Sequence, residues 1–310
     1  MPTRRIVISA AITGFWLVMM GLLLRNYLLP RGDSSDAVEV SPGALTEDWR
    51  DYEEWMRLTI AGRSDGVSYT TVRRRTDRSG YIAANRIRLD LGVLGGQHAF
   101  RLETVASLNS LFQMDRVTAE VRLDDAELKF AALSNNLRFL YRLQYEGQTR
   151  VGSQNLEKPI SLLEAVRPLA ARQLDLKVGN AYRLPVLDST WSLREGNAEV
   201  KVQAREKILI GGRSYDAFRL VTSLGPYAST TWVSPEGEML RREFAGNIRM
   251  ERMDPEKGRE RFPGIDAPVE IPKFTARDFL ASADQASSAT QDIAPLNLLV
   301  ELFRQPAGQR

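Results

Sequence analysis

Runs of apolar and polar residues in strict alternation constrain the fold of this chain more than any other feature. Over residues 81–91, Tyr81, Ala83, Ile87, Leu89 and Leu91 fall on one side, with Arg86, Arg88 and Asp90 on the other. Val117, Ala119, Val121 and Leu123 oppose Thr118, Glu120, Arg122 and Asp124 in the same way, and Phe139, Tyr141, Leu143 and Tyr145 face away from Arg142, Gln144 and Glu146. Successive strand side chains point to opposite faces, so this period of two predicts strands with one buried and one wet face. One wet face points to an antiparallel sheet, since parallel sheets are covered on both sides. Val117, Val121, Tyr141 and Leu143 are expected in the core, and Glu120, Arg122 and Arg142 outside it.

Turn signals recur between these runs at Ser79-Gly80, Gly95-Gly96, Asn135-Asn136, Gly179-Asn180, Gly196-Asn197, Gly211-Gly212 and Glu236-Gly237. Several runs exceed ten residues, which is long for an ordinary sandwich. The expectation is a mainly all-β chain built on one large curved antiparallel sheet or open half-barrel. One inserted helix interrupts it. Ser161 and Glu164 form a capping box, Leu162, Leu163, Val166, Leu169 and Ala170 follow at helical spacing, and Pro168 limits the length. A helix that short needs a surface to pack on, and the concave face of the sheet is the expected place.

The N-terminus follows a different rule. Ile6 to Leu24 carries no charge and covers most of the roughly 30 Å hydrocarbon core of a bilayer. Arg4, Arg5 and Arg25 flank it, Tyr27 stands at an interfacial position, and residues 25–29 lack an A-x-A-like cleavage site. This reads as an uncleaved transmembrane anchor, single-pass, with the C-terminal domain in the periplasm of a bacterial inner membrane. The expected organisation is a cytoplasmic tip and anchor over 1–29, a linker over 30–46, a β domain over 47–255 and a tail over 256–310. The tail is rich in Pro, Ala and Ser, so residues 263–292 are expected to be mostly extended or disordered. Leu296, Leu299, Val300 and Phe303 form a closing apolar stripe that is either a docking helix or a last strand.

Charge and chemistry narrow the function classes. Removing Arg4, Arg5 and Arg25 from the 42 basic residues leaves 39, equal to the 39 acids, so the folded part has no electrostatic footprint for nucleic acid. The chain has no cysteine and one histidine, which removes thiolate sites and any site needing two imidazoles. His98 starts a strand beside Phe100 and Leu102 and reads as a hydrogen-bonded rim residue. Asp124, Asp125 and Glu127 read as a polar hairpin tip, since adjacent residues point apart and no calcium-loop pattern is present. No catalytic residue, metal or cofactor is expected. Trp55, Tyr141, Tyr145, Trp191 and Trp232, with Leu163 and Val166 of the helix, either belong to the core or line a groove inside the curved sheet.

The order of landmarks completes the reading: Arg4-Arg5 and an anchor, Glu54-Trp55-Met56, Gly62 and Gly66, the segment Ser161 to Ala171, Gly179 to Val186, Gly211-Gly212-Arg213, and Ser229 to Val233 before Glu236-Gly237. This resembles the membrane-anchored N-terminal β domain of bacterial proteins that often carry a transglutaminase-like domain behind it, over roughly residues 1–250. The resemblance implies an envelope address and a β fold; with no cysteine here, it implies no catalytic domain. The functional expectation is a non-enzymatic envelope protein, an interaction or accessory module for a membrane partner such as a transporter. The alternative is a carrier holding a lipid or lipoprotein acyl chain in the concavity.

Overall fold

The computed structural model describes residues 37–41, 43–44, 50–60, 62, 65–93, 96–135, 137–145, 147–162, 172–187, 195–224, 227–244, 247–271 and 273–283. The chain divides into two compact units, residues 1–38 and 39–310, and the sheet belongs to the second. Its strands are β1 (Val38–Glu39) at the junction, β2 (Tyr52–Ile60), β3 (Asp65–Arg74), β4 (Gly80–Val93), β5 (Gly96–Asn109), β6 (Met114–Leu123), β7 (Ala126–Asn135), β8 (Arg138–Tyr145) and β9 (Gln148–Asn155). After the two-residue β10 (Ser161–Leu162) come β11 (Ala181–Leu187), β12 (Glu195–Ile210), β13 (Arg213–Leu224), β14 (Tyr227–Val233), β15 (Met239–Phe244) and β16 (Ile248–Arg252). Helices α1 (Pro255–Arg261) and α2 (Ala276–Ala283) follow.

Two antiparallel meanders, β2 to β9 and β11 to β16, form one open sheet because β16 pairs antiparallel with β2, from Ile248 opposite Ile60 to Arg252 opposite Met56. Among the described residues no pairing joins β9 to β11, so the sheet does not close. The antiparallel order sends the turns after β3, β5, β7, β12 and β14 to one rim, here the first rim, and the intervening turns to the second. Gly211 and Gly212, with φ of 55° and 80°, make the two-residue turn between β12 and β13. Two positive φ angles in succession favour glycine and match the strand twist.

The register selects an inner face. Val117, Ala132, Phe130, Leu143, Val200, Leu220 and Val233 share one buried cluster although they come from strands far apart in the order. Side chains of both meanders meet only if the sheet curls and turns the same face inward. Val117, Val121 and Leu143 are buried and Tyr141 is half-buried against them, while Arg122 stays exposed. A second inner cluster, Leu58, Leu89 and Leu123 with Phe100 and Met250 against it, lies nearer the second rim.

The outer face is not uniformly wet. Arg86 donates to the carbonyls of Ile265 (2.8 Å) and Ala267 (2.5 Å), Arg88 to that of Pro263 (2.9 Å), and Arg116 to that of Phe274 (3.0 Å). These arginines hold residues 263–267 and Phe274 against the sheet as a strap without strand structure, and α2 is helical inside the segment expected to be mostly extended or disordered. Ile265 is fully buried beside Trp55, Val67 and Tyr69, and Phe279 of α2 packs on Ala131, Leu133 and Leu140. Helix α1 starts at Asp254, whose side chain accepts from Glu256 N, with Pro255 in the first turn. Arg259 bonds Asp266 at 2.7 Å and holds its carboxyl below the ordinary carboxylate range. A lowered carboxyl stabilises the fold at neutral pH, and that contribution is lost as pH falls through the lowered value.

Two further expectations need correction. Ser161 is not a helix cap: Ser161 and Leu162 pair parallel with Val186 and Leu187, and the buried Ser161 hydroxyl has no hydrogen-bond partner among the described residues. Helical backbone is described at residues 172 and 173, whereas Leu163 to Ala171 lie outside the described residues. Gly196-Asn197 is no turn but the start of β12, opposite Val186 and Pro185. Among the described residues no helix is long and apolar enough to cross a membrane; the run Ile6 to Leu24, its flanks Arg4, Arg5 and Arg25, and the closing stripe from Leu296 lie outside them.

Two substitutions test this architecture. Leu143→Ala should cost about 2 to 5 kcal/mol by leaving a cavity, while Arg122→Ala on the exposed face should stay within about 0.5 kcal/mol, both read by urea unfolding. Gly258 in α1 presses on Trp55, and an added Cβ would meet the indole at 2.3 Å. Gly258→Ala should therefore lower stability by about 1 to 3 kcal/mol through overpacking, although alanine is the better helix former. An unchanged or raised Tm would show that α1 does not lie flat on Trp55.

Candidate functional site

The inner face carries a polar belt between its two apolar clusters. Along β2 and β3 the residues between Tyr52 or Val72 and Leu58 are Glu54, Ser68 and Thr70 together with the buried Met56, and the registers continue the polar side chains to Asn85 and Thr104. Asn85 Nδ2 donates to Ser68 Oγ at 3.2 Å and to Thr70 Oγ1 at 2.8 Å, which satisfies hydroxyls that burial would otherwise penalise. The Tyr52 hydroxyl donates to Glu54, and the guanidinium of Arg172 stands 5.0 Å from the Tyr52 ring centre.

The second meander contributes Thr222, Ser229, Thr231 and Arg242, which its registers place on the same face. Arg242 is only 6% exposed and its guanidinium lies 3.9 Å from the ring centre of Phe244. Its register partner Thr231 is 2% exposed, and the Thr231 hydroxyl has no hydrogen-bond partner among the described residues. A buried cation beside buried hydroxyls is the donor set that carboxylate or phosphate oxygens need.

The residues expected to line a groove divide between the faces. Tyr141 and Tyr145 pack on the large inner cluster. The Tyr141 ring also covers Gly152 of β9, where a Cβ would meet it at 2.4 Å. Trp55 and Trp232 are corrections, since both lie on the outer face. Trp55 sits under α1, 4.7 Å from Tyr69 in ring centres, with its indole N–H donating to Glu53 at 2.8 Å. Trp232 joins Ile208, Ala217 and Leu240 and donates to Glu206 at 2.6 Å. The alternation around Trp55 is real, but the apolar phase of β3 belongs to the outside, where Val67 and Tyr69 serve α1. Trp191, Leu163 and Val166 lie outside the described residues.

His98 Nδ1 lies 2.6 Å from Asp124 Oδ2, and Asp124 Oδ1 accepts from Ala99 N at 3.0 Å. Asp124 adopts φ of 52° at the turn after β6, so this pair staples the second rim. Among the described residues no group of three metal-ligating side chains forms. On the outer wall below the first rim, Arg75, Arg116, Ile271, Lys273, Phe274 and Thr275 line an open groove of about 380 Å³.

The belt was missed in the sequence because it is written in Ser, Thr and Asn, residues that solvent faces use equally. A signal did exist. Ser68 and Thr70 alternate with Val67 and Tyr69, an ambiguity of phase that only the position of α1 resolves.

No family model matches the chain, and no curated protein matches it. Among solved structures it is similar to a β-barrel-like protein of a domain of unknown function, DUF1849, from Brucella abortus, with a TM-score of 0.48 and 10% sequence identity, covering 66% of this chain and 95% of that chain.

Proposed function

We propose that the chain is a non-enzymatic protein of the bacterial cell envelope, anchored in the inner membrane, whose sheet domain is an interaction or accessory module for a membrane partner such as a transporter. The observation that carries this reading is the packing of the inner face. Side chains of β6 to β8 and of β11 to β14 share one buried cluster, so each meander occupies the other's concavity. A carrier needs that surface for its ligand. The absence of cysteine, and a single histidine tied to Asp124 in a turn, add to the argument against catalysis.

One observation favours the carrier as a second reading. The polar side chains at Arg242 and Thr231, on the same inner face as Tyr141 and Tyr145, are suited to an acidic head group with an acyl chain along that face. Titration with a fluorescent fatty acid separates the two. The accessory module predicts no saturable binding by the full chain. Saturable binding that is weakened by Arg242→Gln would replace the module with the carrier.

The address is tested separately. A periplasm-dependent reporter fused after Pro42 should be active, and the mature protein should begin at Met1 or Pro2. A mature N-terminus near residue 30 would remove the anchor from the proposal.

A further inference from the structure

We propose that the first rim of the sheet is a lipid-facing surface that rests on anionic bilayer, a reading that builds on the membrane anchor proposed above. Large apolar side chains that protrude from residues 39–310 are few among the described residues: Leu111, Leu137, Val178 and Leu209, each close to half exposed or more. Leu111 is in the turn after β5 and Leu137 in the turn after β7. Val178 lies just before β11, and Leu209 is next to last in β12. All four positions belong to the first rim, and none to the second. Single exposed leucines are ordinary on a soluble surface; a set of protruding tips gathered on one rim marks an interaction surface.

Basic residues accompany these tips. Arg138 adjoins Leu137, Arg213 follows the turn after Leu209, and Arg78 sits in the turn after β3. Arg78, Arg138 and Arg213 are exposed and form no ion pair among the described residues. The groove at Arg75, Arg116 and Lys273 opens on the wall beneath the same rim. Asp77 and Asp115 pair with Arg75 and Arg116, which leaves exposed Lys273 as its free cation among the described residues. Apolar tips with adjacent cations are what an interface offers: the tips enter the acyl boundary and the cations meet phosphates. Acids on the arc over β3 to β9 and β11 to β13 include Asp77, Asp115 and Asp175, paired with Arg75, Arg116 and Lys177, whereas Glu236 and Glu256 lie at the turn after β14 and at α1, so the lipid-facing arc is the former.

A bilayer is the occupant that the chain itself argues for. Glu39 bonds Lys158, just past β9, at 2.7 Å, and Val40 N donates to Arg183 O of β11 at 2.9 Å. Residues 39 and 40 therefore stand at the rim that bears the tips, and the segment leading back to the uncharged run Ile6 to Leu24 departs from there. Residues 25–38 can span at most about 50 Å, so a bilayer holding that run is within reach of the tips.

The absence of cysteine makes the test clean. Leu111→Cys, Leu137→Cys and Leu209→Cys on the first rim, and Asp125→Cys and Gln148→Cys on the second, are labelled one at a time with an environment-sensitive fluorophore in the full chain. Each is reconstituted into phosphatidylcholine vesicles with and without phosphatidylglycerol and with spin-labelled lipid as quencher. The expected result is blue-shifted, lipid-quenched emission at the three first-rim positions and neither effect at the second rim. Arg78→Glu, Arg138→Glu and Arg213→Glu should each weaken this contact with anionic vesicles about fivefold. Equal quenching on both rims, or none, overturns the proposal, as does a blue shift without vesicles that lipid does not quench, which would mean a protein contact. Resistance to alkaline extraction reports the anchor independently. A chain that resists extraction but has unquenched tips overturns the rim alone, and an extracted chain with quenched tips overturns the anchor and keeps the rim.

Discussion

Five residue pairs between Met56–Ile60 and Ile248–Arg252 hold the molecule together, because they turn two meanders into one sheet. Without them, β2 to β9 and β11 to β16 would each expose a long edge and half of an apolar face. With them, the twist accumulates across the whole strand order and the sheet curls on itself. The seam joins residues nearly two hundred positions apart, which makes its formation slow compared with the local hairpins. It brings Leu58 beside Met250 and places Val117 and Val233 in one core.

Once the sheet curls, its outer face needs cover only where the apolar phase of a strand points outward. At β2 and β3 that phase carries Trp55, Val67 and Tyr69, and α1 with Ile265 lies over them. At β7 and β8 it carries Ala131, Leu133 and Leu140, and Phe279 of α2 lies over those. Between the two patches the strap is held by arginines. The side chains of Arg86, Arg88 and Arg116 reach carbonyls that prolines and an irregular backbone leave without strand partners.

Inside, the same curl sets a polar belt across an otherwise apolar core. Asn85 satisfies Ser68 and Thr70 in one arc, while the other arc places buried Arg242 next to the Thr231 hydroxyl, which lacks a partner among the described residues. Such a belt lowers the stability that hydrophobic packing alone would supply. It is the strongest chemical feature of the interior, whereas the protruding tips and the arginines without an ion pair among the described residues are that of the first rim. The two lie in different places and ask for different partners.

How much of this was legible in the sequence depends on how local the cause is. Alternation in 81–91, 117–124 and 139–146 was enough for strands, for antiparallel pairing and for the inward side of Val117, Val121 and Leu143, because strand geometry alone fixes the period. The Gly211-Gly212 turn was legible for the same reason. Other features hinge on neighbours remote in the chain. Gly196-Asn197 looks like a turn until β11 pairs with it, and Ser161 looks like a cap until its backbone joins Val186. Trp55 and Trp232 have the composition of a binding groove, but α1 over Trp55, and the pairing of Trp232 with Arg219 out of phase with inward Thr231 and Val233, assign them to the outside. On the inner face, the inward side of Tyr141 and Tyr145 was readable and the belt was not, since Ser, Thr and Asn are as common in water as in a satisfied interior. The residues by themselves determined the strands and which side of each one is apolar; only the tertiary structure decided which apolar side became the core, because both faces of a curled sheet can be buried once helices and a strap cover the outer one.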